Sequence, residues 1–297
     1  MSDERKMSYD RKIFYTTAKI INHTLSGTEK HSTGFLFNYE MTDGKIVRTI
    51  LTCKHSIKDF ASIDILFCTD NGNSEPIDEQ KFTMRFNSDS MPFIVKHPKE
   101  DVDLVALIFS YDKKIFLAGT RQPFFLSLDK SLIPSIEQQN MLHFIEDVIM
   151  VGYPQSIWDE YNNKPIIRKG ITASPIQLDF NGKKHFLVDI ASYHGSSGSP
   201  VYIFNSSSYS SKNGLIIGSR IHLLGMFFGG WEEVTKGTTP IKVSESGKED
   251  QYKLNLLLPN NIGFVLKASV FMELRDIIEK RIHEDFFHPS SFDNHSN

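Results

Sequence analysis

The sequence predicts an all-β chain in two halves, followed by one C-terminal helix, and three observations predict it. Short β-branched and aromatic runs, broken by Gly, Asn, Asp and Pro, recur through most of the 297 residues. A Pro- and polar-rich stretch at 118–139 interrupts them, which puts a boundary between two β halves at about 118–145. Only the tail, from Ser269 to Ile282, carries apolar residues at helical spacing. Many short strands without alternating helical patterns favour a sandwich or barrels over βαβ units.

In order, the strand candidates begin with Lys12–Ile21 and Gly34–Phe37, both β-branched and aromatic. Asp43-Gly44 marks a hairpin before Lys45–Thr52, and a short helical turn is expected through Ile57–Phe60. Ile63–Thr69, Lys81–Phe86, Phe93–His97 and Leu104–Ser110 complete the first half. The second half reads as Asp147–Gly152, Ile166–Gln177, Lys184–Ile190, Pro200–Phe204, Leu215–Ile221 and Leu223–Phe228. Asn205–Asn213 is a Ser-rich insertion, Thr235–Gln251 reads as a flexible loop, and His283–Asn297 as a frayed tail. The amphipathic helix is expected to pack on the second β half.

Composition excludes several function classes. Hydrophobic residues at 40% and charged residues at 23% are ordinary globular values, and the 23 phenylalanines are expected in strands and core. A formal charge of −3 leaves no electrostatic footprint for nucleic acid. No apolar run approaches the length of a membrane span. The charged start, Met1 to Asp10, lacks an apolar signal core. Two cysteines, Cys53 and Cys68, read most simply as reduced thiols in a reducing compartment. The expectation is a soluble, cytoplasmic protein without nucleic-acid or membrane partners.

The most informative segment is Tyr193-His-Gly-Ser-Ser-Gly-Ser-Pro-Val201. Two glycines bracket a serine pair, and a proline leads into an apolar run. That composition can hold a hydroxyl on a tight turn beside exposed N–H groups, where it can attack a carbonyl and the N–H groups can stabilise the resulting oxyanion. The same composition also suits a plain Ser/Gly surface turn. A nucleophilic serine needs a base and an orienting acid. His55 directly follows an apolar strand, where it can be rigid yet face a cleft. Asp103 abuts the apolar run Leu104–Phe109, and a carboxylate entering a core needs a hydrogen-bond partner such as an imidazole N–H. Asp103 as a strand cap is the plainer alternative, and Asp101, next to Lys99 and Glu100, is the runner-up acid.

The order His55, Asp103, Ser197 is that of the chymotrypsin-like serine proteases. Ile50-Leu-Thr-Cys-Lys-His55 resembles the family's LTAAH strand end, Asp103-Leu-Val-Ala-Leu107 its DLALL motif, and Gly195-Ser-Ser-Gly-Ser-Pro200 its GNSGGP loop. Further stretches are similar to the HtrA/Deg branch: Thr33-Gly-Phe-Leu-Phe37, Val151-Gly-Tyr-Pro154, Lys169-Gly-Ile-Thr-Ala-Ser174, Leu223-Leu-Gly-Met226 and Asn261-Ile-Gly-Phe-Val-Leu266. The resemblance covers about residues 30–275 and implies two six-stranded antiparallel β-barrels with an active site between them. It gives an N-terminal barrel over 1–125, a C-terminal barrel plus helix over 126–283, and a flexible tail over 284–297.

The resemblance implies a serine endopeptidase: Ser197 the nucleophile, His55 the base, Asp103 the orienting acid, and the N–H groups of Gly195 and Ser197 the oxyanion hole. No metal or organic cofactor is implied; the partners are a protein or peptide substrate and an activating protein. Ala191 and Ser192 stand where the family keeps its specificity residue, so no buried acid awaits Lys or Arg. Met226, Phe227 and Phe228 map to an apolar pocket wall, which implies a small or medium apolar residue before the cleaved bond. Ser196 replaces the aspartate that digestive proteases use in zymogen activation. PDZ modules common in the HtrA/Deg branch have no counterpart in the sequence. The alternative is a catalytically silent protease-fold scaffold for protein binding.

Overall fold

The computed structural model describes residues 7–111, 114–115, 122–154, 157–212, 214–242 and 249–286. Helix α1 (Tyr9–Ile13) precedes β1 (Thr17–Thr24), β2 (Glu29–Glu40), β3 (Ile46–Thr52), β4 (Phe60–Asp70) and β5 (Pro76–Phe86). β6 (Ile94–Lys96), β7 (Val105–Tyr111), β8 (Lys114–Ile115) and β9 (Pro123–Phe124) complete the N-terminal half. These form one antiparallel sheet in the order β5-β4-β1-β2-β3-β7-β6, with β8 on β7 and β9 on β4. Its inward side chains meet in one core that includes Ile20, Leu36, Ile50, Ile65, Phe86, Ile94 and Leu107.

After helix α2 (Ile136–Met141) come β10 (Asp147–Gly152), β11 (Ile166–Thr172), β12 (His185–Asp189) and β13 (Pro200–Asn205). The hairpin β14 (Ser208–Ser211) and β15 (Gly214–Ile217) precedes the long strands β16 (Arg220–Lys242) and β17 (Glu249–Lys267). β10-β11-β12-β17-β16-β13 close into a barrel around Val148, Met150, Phe186, Val188, Val201 and Phe227.

The chain is thus mostly β with one closed six-stranded barrel, and a second closed barrel is not shown. Among the described residues the N-terminal ladder ends at β5 and β6. These two edges are consecutive in the chain and are joined by a 3-10 turn, Ser88–Phe93, that spans the seam without strand pairing. Several boundaries also differ from expectation. Lys12–Ile13 is helical, because Lys12 N–H bonds the Ser8 carbonyl and Ile13 turns into the core. Ser208–Ser211 of the Ser-rich insertion is strand β14, paired with β15, and the expected strand Leu215–Ile221 is divided between β15 and β16, with Gly218 at φ +154° between them. Thr235–Gln251, expected as a loop, belongs largely to β16 and β17, which pair out to Lys242↔Glu249; residues 243–248 lie outside the described residues, as do 287–297 of the expected tail.

A third core joins the two halves: Phe35, Phe37 and Tyr39 of β2 meet Val151, Tyr202, Met226 and the C-terminal segment. That segment is a 3-10 turn, Ala268–Leu274, followed by helix α3 (Arg275–Phe286). Contrary to expectation it does not pack on the barrel alone. Tyr39 Oη donates to the Phe271 carbonyl at 2.9 Å, Arg275 Nε to the Glu40 carbonyl at 2.8 Å, and Phe271, Ile278 and Ile282 bury in the shared core. The site lies beside this junction.

Candidate active site

β3 and β7 pair with Leu51↔Ala106 and Thr52↔Val105. The residues just beyond these strand ends therefore face each other. One end continues into a 3-10 turn, Lys54–Ile57, that carries His55, three residues earlier than the turn expected. Asp103 lies just before the other. His55 Nδ1 meets Asp103 Oδ2 at 2.5 Å, and the His55 backbone N–H donates to Oδ1 at 3.1 Å. Both carboxylate oxygens are thus engaged by one residue, which fixes the ring's Nδ1 toward the acid and leaves Nε2 for a proton acceptor's role. The imidazole is 51% exposed and the carboxylate 25%. Asp101, the runner-up acid, is exposed. Burial, the largest influence on Asp103, acts to raise its carboxyl, but the hydrogen bonds and charge of His55 and the Lys54 N–H outweigh it and hold the group below the usual carboxylate range.

The serine loop forms two successive turns. Ser196 N–H bonds the Tyr193 carbonyl at 2.9 Å with Gly195 at φ +92°, and Ser199 N–H bonds the Ser196 carbonyl at 3.0 Å with Gly198 at φ +88°. Gly198 is required twice over: its φ is left-handed, and a Cβ there would lie 1.8 Å from the Thr33 carbonyl. Gly198 N–H donates to the Phe227 carbonyl at 2.8 Å, and Phe227 N–H to the Ser199 carbonyl at 2.8 Å, anchoring the loop on β16. Thr33 of β2 fastens it to the other half: its N–H bonds the Ser197 carbonyl and its Oγ1 the Gly195 carbonyl, each at 2.9 Å.

The two serines are distinguished by burial. Ser196 is buried, and its Oγ accepts the Tyr193 N–H at 3.3 Å, bracing the turn. Ser197 is partly exposed. Among the described residues, neither the Gly195 nor the Ser197 N–H has a hydrogen-bond acceptor. The Cys53 thiol connects the two parts of the site. Cys53, His55 and Asp103 offer atoms that all lie within 4.8 Å of one another, and Cys53 Sγ is also 3.7 Å from the Phe227 carbonyl. Among the described residues, these three are the grouping of His, Cys and acidic side chains that could approach a cation. The fully buried thiol argues against that use: burial first, then the Asp103 charge, push it well above the usual thiol range, and a metal takes the thiolate.

The expected pocket residues are not brought together. Ala191 is exposed and its carbonyl accepts Arg168 Nη1 at 2.7 Å, while Ser192 is buried beside it. Met226 faces the core between the halves, Phe227 the barrel core, and Phe228 stacks on His185 and Phe264 at 5.7 and 5.9 Å. Gly230 lies opposite Ser192: a Cβ there would lie 3.2 Å from Ser192 Oγ. Gly230 pairs with Gly263, whose face is covered by the Phe227 ring, 2.2 Å from where a Cβ would stand. β16 shifts register between Phe227 and Gly229 and again between Gly230 and Glu232. Gly229-Gly230 inside an apolar strand was the available signal for such a bulge.

Against known proteins, no family model and no curated protein matches the chain. Its structural neighbours include a serine endoprotease, an HtrA-type protease and a further protease. It is similar to a serine endoprotease from Yersinia pestis, at 15% identity and a TM-score of 0.45, over 95% of this chain and 69% of that one. It is similar to the HtrA-type protease AlgW with tripeptide at 12% identity and a TM-score of 0.46, over 90% of this chain and 61% of that one. The inactive form of Rv3671c from M. tuberculosis matches at 14% identity and a TM-score of 0.41, over 89% of this chain and 87% of that one. The chain thus spans under two thirds of AlgW, and the site rests on its own distances.

Proposed function

We propose that this chain is a serine endopeptidase that cleaves peptide bonds through an acyl-enzyme. The observation that carries the reading is the doubly bonded His55–Asp103 pair, joined through Cys53 to a two-turn loop that leaves Ser197 partly exposed. In this reading Ser197 Oγ attacks the scissile carbonyl while His55 Nε2 takes its proton. Asp103 holds the ring's Nδ1–H and stabilises the imidazolium. The N–H groups of Gly195 and Ser197 receive the oxyanion, each such donor being worth about 2.7–4 kcal/mol. His55 then passes the proton to the leaving amine, and the acyl group remains on Ser197. Water, deprotonated by His55, releases the acid.

The reading extends to architecture: the N-terminal sheet, residues 1–125, acts as a rolled barrel that supplies His55 and Asp103. Residues 126–283 supply Ser197. Gly230 with Ser192, floored by Phe227, supports a shallow pocket for a small apolar residue before the cleaved bond. Unpaired Cys53 and Cys68 support a reducing, cytoplasmic setting. Restraint by an activating protein partner completes the reading; a full peptide-cleavage rate by the isolated chain counts against that element.

A fluorophosphonate probe tests the reading. Wild type is expected to take the label and Ser197→Ala to take none; equal labelling of both, or of neither, overturns it. Profiling with a peptide library is expected to return small apolar residues before the cut, and cleavage mainly after Lys or Arg rejects the pocket assignment.

A further inference from the structure

Cys53 lies between the end of β3 and the turn that carries His55, and it is fully buried. Its sulfur has neighbours from both halves of the molecule. On one side stand the Asp103 carboxylate and the His55 ring, within 4.8 Å. On the other stand the Phe227 carbonyl, at 3.7 Å, and the Gly198 N–H of the serine loop. A thiol is a weak donor, and the Cys53 S–H donates to the Phe227 carbonyl at 3.7 Å. The same carbonyl accepts the Gly198 N–H at 2.8 Å, so the thiol and the serine loop share one acceptor. Burial and the Asp103 charge keep the sulfur protonated, so the donor persists wherever Asp103 is ionised.

We propose that Cys53 is a positioning residue for the hydrolysis inferred above: its S–H donates to the Phe227 carbonyl that also holds Gly198, while its sulfur lies against Asp103 and the His55 ring, so acid, base and serine loop keep one mutual register. The inference rests on the serine-hydrolase reading for its kinetic consequence but not for its geometry. Asp103 receives the His55 ring N–H and the N–H groups of His55 and Lys54, all from the chain segment that it orients. Cys53 supplies the link that runs on to the nucleophile's half, and nothing in that role requires it to react.

The test compares Cys53→Ala, Cys53→Val and Cys53→Ser in the full chain. Val keeps volume without a donor, so it also covers the case in which Ala fails to fold. For Ala and Val, the fluorophosphonate labelling rate and kcat on a peptide are expected to fall about tenfold with KM unchanged. Ser, which restores a donor, is expected to recover most of the loss. The downfield proton resonance of His55 Nδ1, read on a Ser197→Ala background, is expected to move in Ala and Val and to hold in Ser. Ala and Val labelling as fast as wild type overturns the proposal, as does a Ser variant no better than Ala, which indicates packing alone. If wild type takes no label, the hydrolase reading fails, and the downfield resonance still decides the role of Cys53.

Discussion

Asp103 shows how much one side chain can organise when both of its oxygens bond the same neighbour. Its two contacts to His55, at 2.5 and 3.1 Å, fix the ring's tilt as well as its tautomer. Asp103→Asn is therefore expected to lower kcat by about 10⁴ while leaving the fold intact, since an amide no longer holds the required tautomer. Steady-state kinetics beside an unfolding curve check this; a loss of only a few-fold rejects the acid's assignment. At this scale the sequence was most informative where a chemical demand is sharp. A carboxylate at the mouth of a buried strand has few possible partners, and a glycine at position 198 is forced by both φ and space. Met226, Phe227 and Phe228 are adjacent in the sequence yet face three different surroundings, and the register shift between Phe227 and Gly229 that accompanies this is not announced by their apolar composition.

At the scale of elements, the C-terminal segment carries more than its amphipathic pattern suggests. Phe271 packs on Phe35 and Phe37 at 5.6 and 6.0 Å, and Glu273 accepts from buried His97 at 3.2 Å. His97 in turn accepts the Lys99 N–H and so stiffens the loop that delivers Asp103. Phe271→Ala is expected to cost about 3–5 kcal/mol, because it empties a fully buried site shared by both halves. Denaturant unfolding measures this, and a cost near that of a surface substitution contradicts the packing described. Strand identities in both halves were readable from β-branched runs, since burial on one face imposes alternation. The partner of the C-terminal helix was not readable, because an apolar stripe specifies that it is covered without saying by what. The β14–β15 hairpin was hidden for a related reason: serine is a turn former by composition, and pairing across four-residue strands overrode it.

Across the whole molecule, several carboxylates are held below their ordinary range. Asp64 is lowered first by its hydrogen bonds to Arg85, with His23 adding to them. For Glu273 burial acts to raise the carboxyl, but Lys184 and His97 outweigh it, and Asp103 follows the same pattern. Each lowered group adds stability that is fully present above its unfolded-state value, 3.8 for the aspartates and 4.5 for Glu273, and is lost as pH falls through the folded value. Thermal unfolding measured stepwise from about pH 6 to about pH 3 is expected to show a flat upper region and a steepening fall below about pH 4.5. A profile flat throughout contradicts the lowered values. The interruption at 118–139 overlaps the connection from β9 of the N-terminal sheet to β10 of the barrel. That the N-terminal sheet differs from the barrel in closure was not legible, because a covalent turn takes the place of strand pairing at its β5–β6 seam.

Thr33 bonds the serine loop from β2, and Phe271 closes the core behind it. A ribosome makes Thr33 early, the loop late, and Phe271 later still. In the proposed reading, the residues that serve as acid and base are made before the nucleophile, and the core behind the serine loop is finished only when residues near 271–282 have emerged. Under that reading a growing chain is expected to stay inert toward its own unfolded segments and toward neighbouring nascent proteins until then.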